Sequence, residues 1–298
     1  MTKHGKCQLC GFEKELKESH IVPSFVFKWL KRTSVTGKLR SGEIPNQRKQ
    51  DGYKLFLLCG VCEKLFCKWE HCFAKNIFEP ITKEKQLEPY GGWLLKFSTS
   101  LSWRILQFAK YERPLNHFPD SLISSANNAS TIWREFLLDK RPHPGRFEQH
   151  MLLFPKLITE YKSDLPPNIN QYILRSIDMD VACSKKEAFV YLKLGRIFIF
   201  GFIEIQKPKN WHQSKVHLNY GTLLNKQYII PEEIKDFIFH KARKGFKSQQ
   251  KMSEKQWNQI GKDYEKNIDH FRHSEMFKAI EQDYKFFGKS TFADHEHK

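Results

Sequence analysis

The amino-acid sequence predicts an α+β fold in two parts, a small cysteine-bearing module over residues 1–90 and a larger domain of helices and sheet over residues 91–298. Six of the seven cysteines lie in the first part. In the second part, helical spacing of apolar residues alternates with runs of β-branched and aromatic residues, which indicates mixed secondary structure. The turn-forming residues 89–92 separate the two parts.

Three stretches of the second part have the apolar spacing of helices. Apolar residues recur every three or four positions over residues 93–111 and 129–139, and Pro142 follows the second stretch. The same spacing returns over residues 231–287. Within this last stretch, the basic cluster at residues 241–247 is interpreted as a solvated helix face.

Between these helices lie three runs that are rich in β-branched and aromatic residues. They predict strands at residues 172–174, 188–192 and 197–200. Gly195 supplies a hairpin turn between the last two strands. Because these runs are apolar on both faces, we expect them inside a sheet that is covered on each side.

The composition is strongly basic, with 50 Lys and Arg against 33 Asp and Glu and a formal net charge of +17. Such a field attracts polyanions, so nucleic acid is the first partner that the composition suggests. Residues 1–50 hold 11 basic and 4 acidic side chains, which concentrates the surplus at this end. No run approaches the ~20 apolar residues that span a bilayer, and no membrane partner is expected. The odd number of cysteines and the absence of a signal-peptide pattern predict a reduced, cytoplasmic protein, of open oligomeric state.

Four of the cysteines form two C-x-x-C pairs. Cys7 and Cys10 make the first pair, Cys59 and Cys62 make the second, and 48 residues lie between them. Each pair presents two thiolates from one tight turn, and two such turns close a tetrahedral four-thiolate zinc site. The sequence therefore predicts a structural Zn²⁺ in a treble-clef module, with an inserted element between the pairs.

The segment between the pairs carries further family features. It contains Ser19-His20-Ile21-Val22-Pro23, and a strand-like run at residues 53–58 leads into Leu58-Cys59-Gly60-Val61-Cys62-Glu63. With the first cysteine pair, these pieces resemble the zinc-stabilised members of the HNH endonuclease superfamily. Those members run C-x-x-C, then an acidic residue plus His, two residues and Pro, then a strand into L-C-x-x-C-H. The resemblance covers roughly the first 80 residues.

The resemblance implies a ββα unit that holds one divalent cation, Mg²⁺ or Mn²⁺. It assigns His20 as the general base that activates water, and it places Glu63 where the family has a metal-binding histidine. Two residues depart from the pattern: Ser19 replaces the usual acidic ligand, and Lys54 replaces an Asn that is common there. A second carboxylate is expected from Glu70, two helical turns after Glu63, or from Asp51 ahead of the strand.

The basic residues of the first part are predicted to neutralise the phosphate backbone of nucleic acid, with DNA favoured over RNA. They are Lys28, Lys31, Arg32, Lys38, Arg40, Arg48 and Lys49.

Three hypotheses follow for function. The first is a metal-dependent HNH-type endonuclease, by family analogy in restriction or antiphage defence. The second is a catalytically inactive, zinc-dependent nucleic-acid-binding protein, which Ser19 and Lys54 favour. In the third, the C-terminal part is the effector or ligand sensor, and the zinc module delivers it to nucleic acid.

Overall fold

The computed structural model describes residues 3–112, 115–116, 118–184, 187–223 and 230–292, and these residues form an α+β fold. A three-stranded sheet lies in the N-terminal part, and a four-stranded sheet lies at the centre of the remainder. No helix in these ranges is long and apolar enough to cross a bilayer.

Short strands and helices make up the N-terminal part. In order, they are β1 Lys3–Lys6, β2 Glu13–His20, α1 Ser24–Arg32, β3 Leu39–Arg40, β4 Arg48–Lys49, β5 Lys54–Cys59, α2 Gly60–Phe73 and α3 Glu79–Thr82. A π-helical segment, Ala74–Phe78, joins α2 to α3. The predicted strand before the second cysteine pair is confirmed as β5, and α1 with the β3–β4 hairpin forms the predicted insertion.

The register of the N-terminal sheet sets the geometry of the module. Strand order is β1-β2-β5, and both neighbouring pairs are antiparallel. Leu16 lies opposite Cys59, and His20 lies opposite Lys54. The second cysteine pair and His20 therefore mark opposite ends of the β2–β5 ladder, and α2 starts at the cysteine end.

The second part contains the larger sheet and most of the helices. Its elements are β6 Tyr90–Gly91, α4 Trp93–Glu112, α5 Asp120–Leu137, β7 Gln149–Leu153, α6 Ile169–Arg175, β8 Ile177–Cys183, β9 Ala188–Leu194, β10 Ile197–Glu204, β11 Tyr220–Gly221, α7 Glu232–Gln249, α8 Glu254–Lys266, α9 Ile268–Arg272 and α10 Glu275–Phe287. Two 3₁₀ segments, Pro208–Ser214 and Gly288–Thr291, complete it. The predicted helix over 93–111 is confirmed as α4, whereas α5 begins well before the predicted start at 129.

The larger sheet is antiparallel, in the order β7-β10-β9-β8, and its central strands are buried on both faces. Val190 and Leu192 of β9 face the core that includes α4 and α5. Phe189 and Tyr191 face the opposite core, which includes α6 and α7. The predicted covered sheet is confirmed, with Gly195 in the β9–β10 turn at a φ of +59°.

Two predictions for the second part are wrong. Residues 172–174 form helix α6 and not a strand, because distant side chains bind both ends of that helix. The interpretation of the 241–247 cluster as a solvated face fails at Lys241, which is 9% exposed. Its ammonium lies 3.0 Å from carboxylate oxygens of both Asp178 and Asp180, so these two acids compensate the buried charge.

One continuous hydrophobic core crosses the predicted boundary at residue 90. Phe73 of α2 stacks on Phe97 of α4, with ring centroids 4.0 Å apart. Phe66 of α2 meets Trp103 of α4 edge to face at 6.1 Å. Helix α4 therefore supports the N-terminal module directly, from outside its predicted limits.

Candidate functional site

The four paired cysteines converge. The Sγ atoms of Cys7, Cys10, Cys59 and Cys62 all lie within 4.8 Å of one another, so these residues could hold a metal ion such as zinc. The Sγ atoms of Cys10 and Cys59 are 3.9 Å apart. A tetrahedral site with Zn–S bonds of about 2.3 Å requires a separation of roughly 3.8 Å, whereas a disulfide requires about 2.05 Å. The cluster has the dimensions of a metal site.

Local backbone structure brings the two pairs together. The first pair lies in the β1–β2 turn, where the Gly11 N–H donates to the Cys7 carbonyl at 2.8 Å. Gly11 has a φ of +84°, a left-handed conformation that glycine adopts without strain. In the second pair, Cys59 ends β5 and Cys62 lies in the first turn of α2. The Cys59 N–H also donates to the Cys7 sulfur at 3.3 Å, which stabilises a thiolate there.

The thiols influence one another strongly. A hydrogen bond from the Cys62 thiol, aided by backbone N–H groups, lowers the pKa of Cys7 to about 4. The same hydrogen bond, with burial, raises the pKa of Cys62 far above its ordinary value. A second thiolate is therefore costly beside the first. A bound divalent cation removes this conflict, because it stabilises thiolates as its ligands.

The remaining cysteines of the module, Cys67 and Cys72, lie outside this group. Cys67 is exposed and Cys72 is half-buried. Among the residues that the structure describes, the four-cysteine cluster is the one group of three or more His, Cys, Asp or Glu side chains close enough to share an ion.

His20 forms a pair with Asp51 at the opposite end of the ladder. Its Nε2 lies 2.6 Å from Asp51 Oδ2. The second carboxylate oxygen of Asp51 accepts from the Gly52 N–H at 2.9 Å, and the Lys54 ammonium lies 3.4 Å from Oδ2. Burial alone would raise the pKa of Asp51, but the bonds from His20, Gly52 and Lys54 outweigh it and hold this pKa below its ordinary value. Asp51 is therefore ionised near neutral pH.

Ser19, which precedes His20, connects the strand to α2. Its side chain is buried, and its hydroxyl donates to Glu63 Oε2 at 2.6 Å. Ser19, which differs from the HNH pattern, thus holds Glu63, the carboxylate that the resemblance predicts as a cation ligand.

Glu70 faces an arginine. Its Oε1 lies 2.7 Å from Nη2 of Arg104, a residue of α4. Nη1 of the same guanidinium donates to the His20 carbonyl at 2.8 Å. His20, Glu63 and Glu70 do not form a three-ligand cluster within the described residues, and the structure places an imidazole–carboxylate pair and two separately held carboxylates around the end of β2.

The predicted nucleic-acid-binding residues divide into two sets. Some are occupied within the chain: Lys38 pairs with Asp263 at 2.9 Å, and Arg40 donates to Gln256 at 2.9 Å. Both partners belong to α8, which therefore lies against the β3–β4 hairpin. Lys31 donates to the Gln50 carbonyl.

The other basic residues stand closer to solvent. Lys28, Arg32 and Arg48 are exposed and have no ion pair among the described residues. The Lys49 ammonium lies over the ring of Tyr53, 5.4 Å from its centroid.

A groove of about 580 Å³ lies between the segment after α3, in the first part, and the β7–β10 strands of the second part. Lys85, Lys156 and Arg196 contribute positive charge to it, Glu84 pairs with Lys156 there, and Leu87 and Leu153 contribute apolar surface. None of the residues around His20 lines this groove.

Comparison with known proteins gives no further guide. No family model, no curated protein and no solved structure matches this chain.

The sequence predicts Asp51 only as an alternative to Glu70 for the second carboxylate, and it gives no prediction for Arg104. The signal for Arg104 was present, because it is the one charged residue of α4 between Lys96 and Lys110. A lone charge inside an apolar helix is seldom buried without a specific partner.

Proposed function

We propose that this chain is a metal-dependent endonuclease in which a zinc-stapled ββα unit, a treble clef of HNH type, presents His20 as the general base. The main support is the His20–Asp51 pair at the end of β2, where His20 Nε2 lies 2.6 Å from Asp51 Oδ2. The four cysteines converge at the opposite end of the same module. The antiparallel neighbours β2 and β5, which α1 and the β3–β4 hairpin separate in sequence, are followed by α2 and supply the ββα unit that the proposal requires.

The pair has the chemistry of a general base. An ionised carboxylate only accepts hydrogen bonds, so the ring nitrogen that faces Asp51, Nε2, carries the proton. The other nitrogen, Nδ1, then has a free lone pair that can take a proton from water. As the water oxygen bonds to phosphorus, its proton moves to Nδ1, and the bond from phosphorus to the leaving oxygen breaks. Asp51 stabilises the imidazolium that results.

A divalent cation, Mg²⁺ or Mn²⁺, would stabilise the charge on the phosphate and the leaving oxygen. Glu63 is the protein ligand that we favour, because only one of its oxygens is engaged, by Ser19. Glu70 is a weaker choice, since its ion pair with Arg104 would have to open. With few protein ligands, the cation would retain water and phosphate oxygens, as Mg²⁺ commonly does.

We assign nucleic acid, and DNA before RNA, as the substrate. The net charge of +17 and the exposed Lys28, Arg32 and Arg48 support a phosphate-binding surface on the same module. Restriction or antiphage defence is the setting that the family analogy suggests.

The test is cleavage of plasmid DNA and of structured RNA by the purified chain, with Mg²⁺, with Mn²⁺ and with EDTA. His20→Ala is expected to abolish cleavage, and Asp51→Asn to reduce it by about 10²–10⁴-fold, because the amide no longer fixes the imidazole tautomer. His71→Ala is the matched control, since His71 is an exposed histidine of α2. Equal cleavage by wild type and His20→Ala, or none by wild type, would end the proposal.

The second candidate is a zinc-dependent nucleic-acid-binding protein without catalysis. The observation in its favour is that, outside the cysteine cluster, no group of three metal-binding side chains is found among the described residues. It predicts binding that weakens steeply with salt, without cleavage in any metal. Substitution of Arg32 or Arg48 would reduce that salt dependence, whereas His20→Ala would leave it unchanged.

A further inference from the structure

Arg104 is a buried cation in an unusual position. Arg104 is 1% exposed, and its side chain extends from α4 into the N-terminal module. The guanidinium lies 5.2 Å from the ring centroid of Phe66. Arg104 connects α4 of the second part with the end of β2, which carries His20.

The contacts of Arg104 are specific to this strand end. Nη1 donates to the His20 carbonyl at 2.8 Å, and Nη2 lies 2.7 Å from Glu70 Oε1. His20 is thereby restrained twice: Arg104 holds its backbone, and Asp51 holds its ring. The next N–H, of Ile21, donates to the Tyr53 carbonyl at 3.0 Å and prolongs the ladder beyond His20.

Stability alone does not account for this arginine. Nε and Nη2 have no aligned hydrogen-bond acceptor among the described residues, so the contact with Glu70 is an ion pair without good hydrogen-bond geometry. Buried donors without acceptors cost stability, and a well-packed apolar residue often replaces a buried ion pair without loss. A costly group that is held beside a catalytic candidate suggests a functional role.

We propose that Arg104 is a positioning residue for His20: through the His20 carbonyl it fixes the end of β2, so that the imidazole stays aligned with Asp51. This inference rests on the proposed function for its kinetic consequences, although the geometric claim stands apart from activity. It makes the site dependent on α4, a helix outside the HNH-like segment.

Arg175 provides a matched control. It is also an arginine of the second part, with a side chain that is 6% exposed, and its Nη2 donates to the Leu30 carbonyl of the N-terminal module at 3.3 Å. It lies over the ring of Trp29 and 3.7 Å from Glu275. It is an arginine like Arg104, but its contacts are with α1, Thr33 and α10, and none is with the end of β2.

The kinetic experiment compares Arg104→Met, Arg104→Lys and Arg175→Met in the full-length protein. We expect Arg104→Met to lower kcat by about 10–100-fold with KM changed less than about twofold, as when a catalytic group is displaced. Arg104→Lys should recover part of the loss, since its ammonium can reach one of the two acceptors. Arg175→Met should lower the melting temperature and leave kcat within about twofold.

A spectroscopic readout separates this inference from the nuclease proposal. The ¹³C and ¹⁵N signals of the His20 ring are recorded in wild type, Asp51→Asn and the arginine variants, with zinc content measured for each. Arg104→Met should move the His20 signals toward those of Asp51→Asn, and Arg175→Met should not. If Arg104→Met fails to fold, Arg104→Lys takes its place and should show a smaller shift in the same direction.

The outcomes are distinguishable. Unchanged His20 signals in the folded Arg104 variant overturn the positioning role, whatever the activity. If Arg104→Met shifts the His20 signals but the wild-type protein cleaves nothing, the positioning role is supported and the nuclease proposal is refuted. A loss of kcat in Arg104→Met that Arg175→Met matches would mean general destabilisation, and it would also overturn the inference.

Discussion

Loss of one metal ligand should unfold more than the N-terminal module. Cys10 is the least buried of the four clustered cysteines, so Cys10→Ser disturbs packing little and tests coordination itself. Structural zinc contributes roughly 10–16 kcal/mol in small zinc-binding peptides, whereas an entire domain is stable by roughly 5–15 kcal/mol. The zinc contribution is therefore as large as the whole free energy of unfolding of a domain, and losing a substantial part of it should unfold the module. Because Phe73 of α2 stacks on Phe97 of α4, unfolding of the module should also destabilise α4.

The assay is thermal unfolding followed by far-UV circular dichroism, with bound zinc measured by mass spectrometry. We expect wild type to retain about one zinc per chain, and Cys10→Ser or prolonged chelation to lower the midpoint of the main transition. Cys67→Ser is the control, because Cys67 lies outside the cluster. A midpoint that is equal in Cys10→Ser and Cys67→Ser would refute the metal site. A separate early transition, with the main one unchanged, would refute the coupling to α4.

Three further predictions concern the second part. Asp283 accepts four hydrogen bonds from Asn170 and its neighbour at the start of α6, so Asp283→Ala should destabilise the protein by about 3–5 kcal/mol in denaturant titrations. A hydrogen bond from His150 holds the pKa of Glu148 at about 2, below its ordinary value. Its charge therefore stabilises the fold above about pH 4.5, and this contribution is lost as the pH falls toward 2. Glu148→Gln should accordingly cost about 1 kcal/mol at pH 6, after allowance for partial exposure, and much less at pH 3. Lys241→Met leaves two carboxylates without their shared cation, so the loss in unfolding free energy should be largest above pH 5 and should shrink in acid.

Local patterns gave the parts of the fold that local chemistry determines. The convergence of the two C-x-x-C pairs could be predicted because the spacing of metal ligands is fixed within each turn. Strands β9 and β10 could be predicted from the apolar runs on either side of Gly195. In β8, the alternation of apolar residues with Asp178 and Asp180 was a strand signal of period two that was overlooked.

Residues 172–174 show why other parts of the fold could not be predicted from the sequence. Tyr172, Ile173 and Leu174 favour a strand locally, yet they lie in the second half of α6. Asp283 binds N–H groups at the start of this helix, and the Lys193 ammonium donates to the Ile173 carbonyl near its end. Both partners are distant in sequence, so tertiary contacts outweigh the local preference.

The two residues that differ from the HNH pattern, Ser19 and Lys54, have a similar role in the structure. Ser19 cannot ligate a cation as a carboxylate would, but its hydroxyl holds Glu63 at 2.6 Å. Lys54 cannot replace the Asn amide, but its ammonium lies 3.4 Å from Asp51, the partner of His20. Ser19 and Lys54 therefore each contact a carboxylate of the proposed site. In that site the acidic side chains lie on α2 and in the segment before β5, whereas the pattern that the sequence resembles has an acidic residue on β2, beside the histidine.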